Sequence, residues 1–477
     1  MAEQGAVPAD DGRGPAPGQL APVGADPSLL DPPSAPGADD PGSLRGIARL
    51  ALPALGALVA QPLFVLVDAA IVGTLGTAPL AGLGAAATIA SLAVGLCVFL
   101  AYATTSSVAR RVGEHRWDAA VSEGVEGMAL GLGLGAAIGV VTFLAAEPLV
   151  RAFGASDVVT PYAVTYLQVV SVGFPGALVA MAGIGVLRGL QDTRTTLLVT
   201  LLAVAVNAVL AVVLVLGLQR GIAGSAVATA VAEWVQAAAY ALVVVRVARR
   251  HGARLRPSGV GVLAAVRAGL PLFWRTVVLR AVYLVAAAVA ARMGDADLAA
   301  YHVSFQVWLL LALAADALSI AGMALLGRYL GARDIDGARR VTARLVRIGV
   351  ALGVVLAVLL AALAPWLPHL FSADPVVRAL ITGSLLVGAL QQPFIVPIFV
   401  LDGVLIGAGD GRWLALAGTA MLVAFLPAAY AVLVLDLGVV GLWWAITWFM
   451  LVRLVLLGRR ARGDAWLRPS GTADSVA

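Results

Sequence analysis

From Ile47 to Leu457 the chain alternates long apolar runs with short polar breaks. Each run is near the ~20 residues that a helix needs to cross a hydrocarbon layer about 30 Å thick. The runs are dense in Ala, Leu, Val and Gly, without the period-two alternation of barrel strands, and so predict helices packed through small residues. Read from one charged break to the next, twelve spans are expected, at 47–72, 80–109, 121–146, 159–187, 195–217, 221–245, 262–291, 299–327, 341–364, 377–407, 413–435 and 439–458.

Arginine falls on alternate breaks. Arg110, Arg111 and Arg116 follow the second span, Arg188 and Arg194 the fourth, and Arg246, Arg249, Arg250, Arg254 and Arg256 the sixth. Arg328, Arg333, Arg339 and Arg340 follow the eighth, Arg412 the tenth, and Arg459, Arg460 and Arg462 the last, while Arg45 precedes the first. The positive-inside rule places these breaks and both termini in the cytoplasm of a multi-pass protein of the cell (inner or plasma) membrane. A missed span would invert the pattern downstream of it, so the alternation checks the even count.

Composition removes other classes. At 61% hydrophobic and 12% charged residues the chain is far from a soluble globule, which carries about a quarter charged residues. The formal charge of +5 resides in short arginine breaks where topology requires it, so no nucleic-acid partner is implied. Cys97 stands alone and the four histidines have no ligand spacing, which leaves no intramolecular disulfide, metal site or cofactor in the expectation. No Walker-type glycine loop is present, so neither ATP hydrolysis nor other enzymatic chemistry is expected. Residues 1–44, rich in Pro, Gly, Ala and Asp, read as a disordered cytoplasmic tail.

The chain also resembles itself at one offset, 218 residues. Leu52-Pro53 meets Leu270-Pro271, Gly76 meets Gly294, Arg110 and Gly113 meet Arg328 and Gly331, and Asp118 meets Asp336. The register continues from Pro175 with Pro393 to Gly189, Asp192 and Arg194 with Gly407, Asp410 and Arg412. Six spans per copy, an even number, give both copies the same orientation, so the fold class expected is an all-α membrane protein of two six-helix bundles related by an axis along the membrane normal. The bundles occupy 45–245 and 262–458, with an inter-lobe loop at 246–261 and a cytoplasmic tail at 459–477. Two such lobes around a cleft form the plan of an alternating-access transporter.

Particular stretches carry a family likeness. Leu52-Pro53 through Pro62-Leu63, then Asp68-Ala69-Ala70-Ile71-Val72-Gly73 and Leu75-Gly76, resemble the first helix of the multidrug and toxin extrusion (MATE) family in its DinF-like branch. Leu187-Arg188-Gly189-Leu190-Gln191-Asp192-Thr193-Arg194, Asn207, Gly221-Ile222-Ala223-Gly224-Ser225-Ala226 and Ala228-Thr229 continue it, as do Gly327-Arg328, Leu330-Gly331-Ala332, Val400-Leu401-Asp402-Gly403, Gly407-Ala408 and Asp410 in the second half. The resemblance implies an antiporter that exports small organic, often cationic, drugs or metabolites against inward flow of protons or sodium ions; a monomer is expected, though the sequence does not reveal the oligomeric state.

An ionisable group at bilayer depth costs at least about 2.5 kcal/mol, so each one there needs a partner, a cavity or a proton. Asp68, Glu233, Asp316 and Asp402 lie inside predicted spans. Asp68 reads either as a carboxylate near the outer interface or as a titrating coupling residue, and the resemblance implies the second, with Pro53 as the hinge of the first helix. The resemblance also places cavity residues at Asn207 and Thr229, but where several family members carry a second aspartate this chain has Ala211. That departure favours protons over sodium, and Glu233 is a candidate compensating carboxylate. In the second half Arg275 and Arg280 are expected to pair with Asp316 and Asp402, in an order the sequence leaves open. Trp443, Trp444 and Trp448 read as interfacial anchors. The leading rival is a lipid-linked oligosaccharide flippase, which would favour a cationic cavity with arginines in the first lobe's spans.

Overall fold

The computed structural model describes residues 42–467, so residues 1–41 of the expected 1–44 tail and 468–477 of the second tail lie outside the described residues, while Ser43 and Leu44 already cap and open the first helix. Among the described residues every regular element is a helix. The spans are α1 (Leu44–Gly73), α2 (Thr77–Gly113), α3 (Trp117–Leu144), α4 (Thr160–Ser171 and Phe174–Gly189), α5 (Thr193–Gly217) and α6 (Gly221–His251). The second bundle holds α7 (Gly259–Met293), α8 (Asp295–Gly331), α9 (Ile335–Leu363), α10 (Pro375–Gly407), α11 (Gly411–Val434) and α12 (Gly438–Arg462).

Eleven helices are individually long and apolar enough to span a bilayer, and the two pieces of α4, bent by 52° at residues 172–173, supply a twelfth. The chain is therefore a multi-pass membrane protein. The helices reach farther than the apolar runs: α6 continues to His251 and α7 starts at Gly259, which shortens the expected 246–261 connection to residues 252–258. Capping fixes several starts. Ser43, Asp192, Ser258, Asp334 and Asp374 each accept a hydrogen bond from a backbone N–H in the first turn of the helix they precede.

The two bundles repeat in backbone detail. Positive φ occurs at Gly76 and Gly294, at His115 and Arg333, and at Gln191 and Gly409, each pair separated by the offset found in the sequence. After α5 the matching pairs become Gln219 with Asp436 and Gly221 with Gly438, one residue closer together. The difference has a local cause. The end of α5 is wound as a π-helix over Val212–Gly217, which absorbs one extra residue, whereas α11 stays α-helical to Val434.

The bundles meet at the arginine-rich end, where α1 begins and α12 ends. There α8 packs against α1 and α2, and α7 against α2 and α3. A Cβ on Gly113 would strike the Arg328 carbonyl, and one on Gly331 the Arg110 carbonyl, so at this crossing only glycine lets the symmetry-related helices touch. Arg110 donates to the Ala408 carbonyl (2.6 Å) and Arg328 to Gln191 Oε1 (2.7 Å). One apolar core runs from Ile47, Phe99 and Leu178 of the first bundle into the second. Farther along, Gly95 of α2 lies against the Arg280 guanidinium of α7.

Candidate functional site

Asp68 lies five residues before the end of α1 and is 3% exposed, so its carboxylate is enclosed by protein. Its two oxygens are met by neutral hydroxyls. Ser225 of α6 donates to Oδ1 (2.5 Å) and Tyr166 of α4 to Oδ2 (3.3 Å). The Tyr166 hydroxyl also meets Thr229 Oγ1 (3.4 Å), which accepts from Asn207 Nδ2 of α5 (3.1 Å).

Four helices thus converge on one buried polar chain, and the fold brings the three sequence candidates Asp68, Asn207 and Thr229 together. Ser225 and Thr229 share one face of α6 because they are four residues apart. The π-helix that begins at Val212 follows Asn207 by little more than one turn and re-aims the end of α5 over α6. Among the described residues no cation forms an ion pair with Asp68, and no group of three acidic, His or Cys side chains could hold a metal ion.

Glu233, one further turn of α6 along, faces the break in α4. Its Oε2 is buried against Gly173, without a hydrogen-bond partner among the described residues, and a Cβ on that glycine would collide with it. Beside it the Trp234 indole donates to the Val172 carbonyl (3.1 Å), one of the backbone acceptors that the bend frees. Glu233 is near enough to Tyr166 to interact with it electrostatically but is not hydrogen-bonded into the Asp68 chain. Pro53 lies inside a continuous α1, next to Ala54, which packs on Ala317 and Ile320 of α8.

The second bundle holds a different arrangement. Asp402 is clamped between two guanidiniums: Arg275 ion-pairs with it and donates from Nε (3.2 Å), and Arg453 donates from Nη2 (3.0 Å). All three are buried, and Arg453 also lies over the Phe399 ring at 5.4 Å. Phe399 closes an aromatic row formed by Tyr283, Phe305 and Trp308.

The remaining expectations need correction. Arg280 pairs with neither aspartate: it is exposed on α7 and rests against Gly95 of the other bundle. Asp316 makes no ion pair or hydrogen bond among the described residues, though Arg188, Arg275 and Arg453 act on it electrostatically. Arg188, assigned to a polar break, is the penultimate residue of α4 and only 8% exposed. Trp444 and Trp448 are about half exposed, as anchors would be, but Trp443 is 1% exposed because it packs in the core beneath Gly388.

Tyr166, Ser225 and Arg453 belong to these two centres and were not singled out as site residues. Ser225 lies in the Gly221–Ala226 stretch that carries the family likeness, while nothing in the local sequence marks Tyr166 or Arg453.

Comparison with known proteins agrees with this architecture. The family described as MatE matches twice, over residues 53–213 and again over 271–431, the same 218-residue offset. The Arabidopsis thaliana protein DETOXIFICATION 43 is 29% identical over 88% of this chain and 90% of its own length. DNA damage-inducible protein F of Escherichia coli K12 is 26% identical over 88% of this chain and 94% of its own. A solved multidrug resistance MATE transporter of the MOP superfamily, in its outward-facing conformation, superposes with a TM-score of 0.80 at 22% identity over 91% of this chain and 96% of that one. The chain belongs to the MATE (multidrug and toxin extrusion) family and is a membrane transporter, not an enzyme.

Proposed function

We propose that this protein is a proton-coupled antiporter that exports small organic compounds, organic cations among them, by alternating access, with Asp68 as the residue that carries the proton. The observation behind this reading is the contrast between the two buried aspartates. Asp402, between two guanidiniums, is held ionised in every step, since neutralising it would leave two buried cations uncompensated. Asp68 is buried at least as deeply with hydroxyl partners only. Hydroxyls can donate to a carboxylate and, by rotating, accept from a carboxylic acid, so this shell accommodates both protonation states. A sodium ion is the weaker alternative because it would seek further charged or carbonyl ligands than one carboxylate and these hydroxyls supply.

Both termini and the arginine-rich end face the cytoplasm in this reading. In this reading contact between the bundles at that end corresponds to an outward-facing state, and protonation of Asp68 favours its conversion. The protein acts as a monomer, since one chain supplies both lobes. The test is efflux of a fluorescent organic cation from whole cells under an imposed pH gradient or sodium gradient. Drive by pH alone supports the reading, and drive by sodium alone removes it.

A second reading has one specific observation in its favour. Arg188, Arg275 and Arg453 all act on Asp316, and with Asp402 between two of them this region sets three guanidiniums against two carboxylates. An anionic or phosphate-bearing cargo, as for a flippase, would suit it. An anionic fluorophore exported in place of the cationic one would decide for it.

A further inference from the structure

In the second bundle α9 and α12 both pack on α10 and leave a groove between them at the arginine-rich end. The groove holds a cavity of about 530 Å³. Its rim carries three guanidinium side chains, Arg339 of α9 and Arg459 and Arg462 of α12, and among the described residues no carboxylate lines it. The nearest counter-charge is Asp464, which takes one of the three through Arg339 Nη2 (2.6 Å). Below the rim the walls are apolar, formed by Val346, Leu401 and Val455, and they continue toward the middle of the membrane-spanning helices. The chain folds back after α12 so that Trp466 roofs one side.

We propose that this groove binds one anionic glycerophospholipid, with the phosphate at the three arginines and an acyl chain along the apolar wall. A basic rim over an apolar slot matches both parts of such a molecule and neither a wholly polar nor a wholly apolar ligand. The site opens at the level where helices end and headgroups lie, and basic pockets between spans on the cytoplasmic side are where anionic headgroups are held. Arg460, between the other two on α12, is turned away to Asp410 (2.6 and 3.0 Å), so α12 divides its arginines between an internal tie and the cavity. The occupant also lies next to the buried ion-pair centre of the second bundle. Leu401 of the wall precedes Asp402, so a bound acyl chain packs on the turn of α10 that presents Asp402 to Arg275 and Arg453.

The site lies apart from the Asp68 network, and its failure would leave the proton-coupling reading intact. The experiment is native mass spectrometry of the full chain in detergent with added phosphatidylglycerol, phosphatidylcholine or glycerol 1-phosphate. One phosphatidylglycerol should be retained, with phosphatidylcholine and glycerol 1-phosphate held at least about tenfold more weakly. Combined Arg339→Gln, Arg459→Gln and Arg462→Gln should remove that preference, whereas combined Arg246→Gln, Arg249→Gln and Arg250→Gln should not. Val455→Trp, which fills the slot and keeps every charge, should also release the lipid, so the outcome does not depend on the triple variant folding. Equal retention of the two lipids, equal loss in the control variant, tight binding of glycerol 1-phosphate, or full retention by Val455→Trp would each overturn the proposal.

Discussion

Arg110 and Arg328 occupy the same position in the two repeats, and each reaches across the midline to the other bundle. Arg110 donates to the carbonyl of Ala408 just after α10, and Arg328 to the side chain of Gln191 just after α4. The two contacts fasten the end where Gly113 and Gly331 cross. They must break for the cleft to open there. Hydrogen bonds from charged donors contribute about 1.5–3 kcal/mol each.

Replacing both arginines by alanine should therefore shift the population toward opening at this end by at least about tenfold. Spin labels at Arg194→Cys and Arg412→Cys in a Cys97→Ser background, both on exposed positions, read the distance directly. A longer distance population in the double variant is expected. An unchanged distribution would show that glycine packing alone holds the end closed.

Breaking the clamp on Asp402 should cost stability more than activity. Asp402→Asn leaves two buried guanidiniums without a counter-charge, a loss of about 3–5 kcal/mol. Adding Arg453→Leu to it should recover part of that loss. Cys97, the chain's one cysteine and 4% exposed, reports unfolding through a thiol-reactive dye in a thermal ramp. A double variant less stable than Asp402→Asn would contradict this account.

The hydroxyls around Asp68 should show the opposite balance. Tyr166→Phe keeps the ring and removes the link between Asp68 and Thr229. A lost neutral hydrogen bond costs only about 1 kcal/mol, so melting should move little while proton-driven efflux falls about tenfold. Equal losses of stability and transport in Tyr166→Phe and Ser225→Ala would mark the network as structural only.

The bend in α4 gives a further test. Trp234→Phe removes the indole N–H that satisfies the Val172 carbonyl and leaves the ring in place. A loss of about 1–3 kcal/mol in thermal unfolding is expected, the cost of an unsatisfied acceptor. No change would mean that lipid or water reaches that carbonyl.

Much of this architecture is readable in the sequence because lipid makes its demands in bulk. Span length, arginine alternation and the 218-residue register each summarise many residues. The π-helix at Val212–Gly217 escaped because one extra residue leaves the apolar pattern intact and shows only as a shift in register after α5. Asp68 and Asp402 stood out as charges in apolar runs. Their partners did not, because Tyr166 and Ser225 are ordinary residues in membrane helices. Arg453 stands in the same helix as Arg459, Arg460 and Arg462, two to three turns before its end. Burial separates it from Arg459 and Arg462, and burial is not written in local sequence.

The proposed coupling places the proton on Asp68. Efflux of a fluorescent organic cation, driven by a pH gradient at matched sodium, should fall by about a hundredfold in Asp68→Asn while the variant still binds the substrate and melts near the parent temperature. Efflux by Asp68→Asn at the parent rate under the same gradient would contradict it.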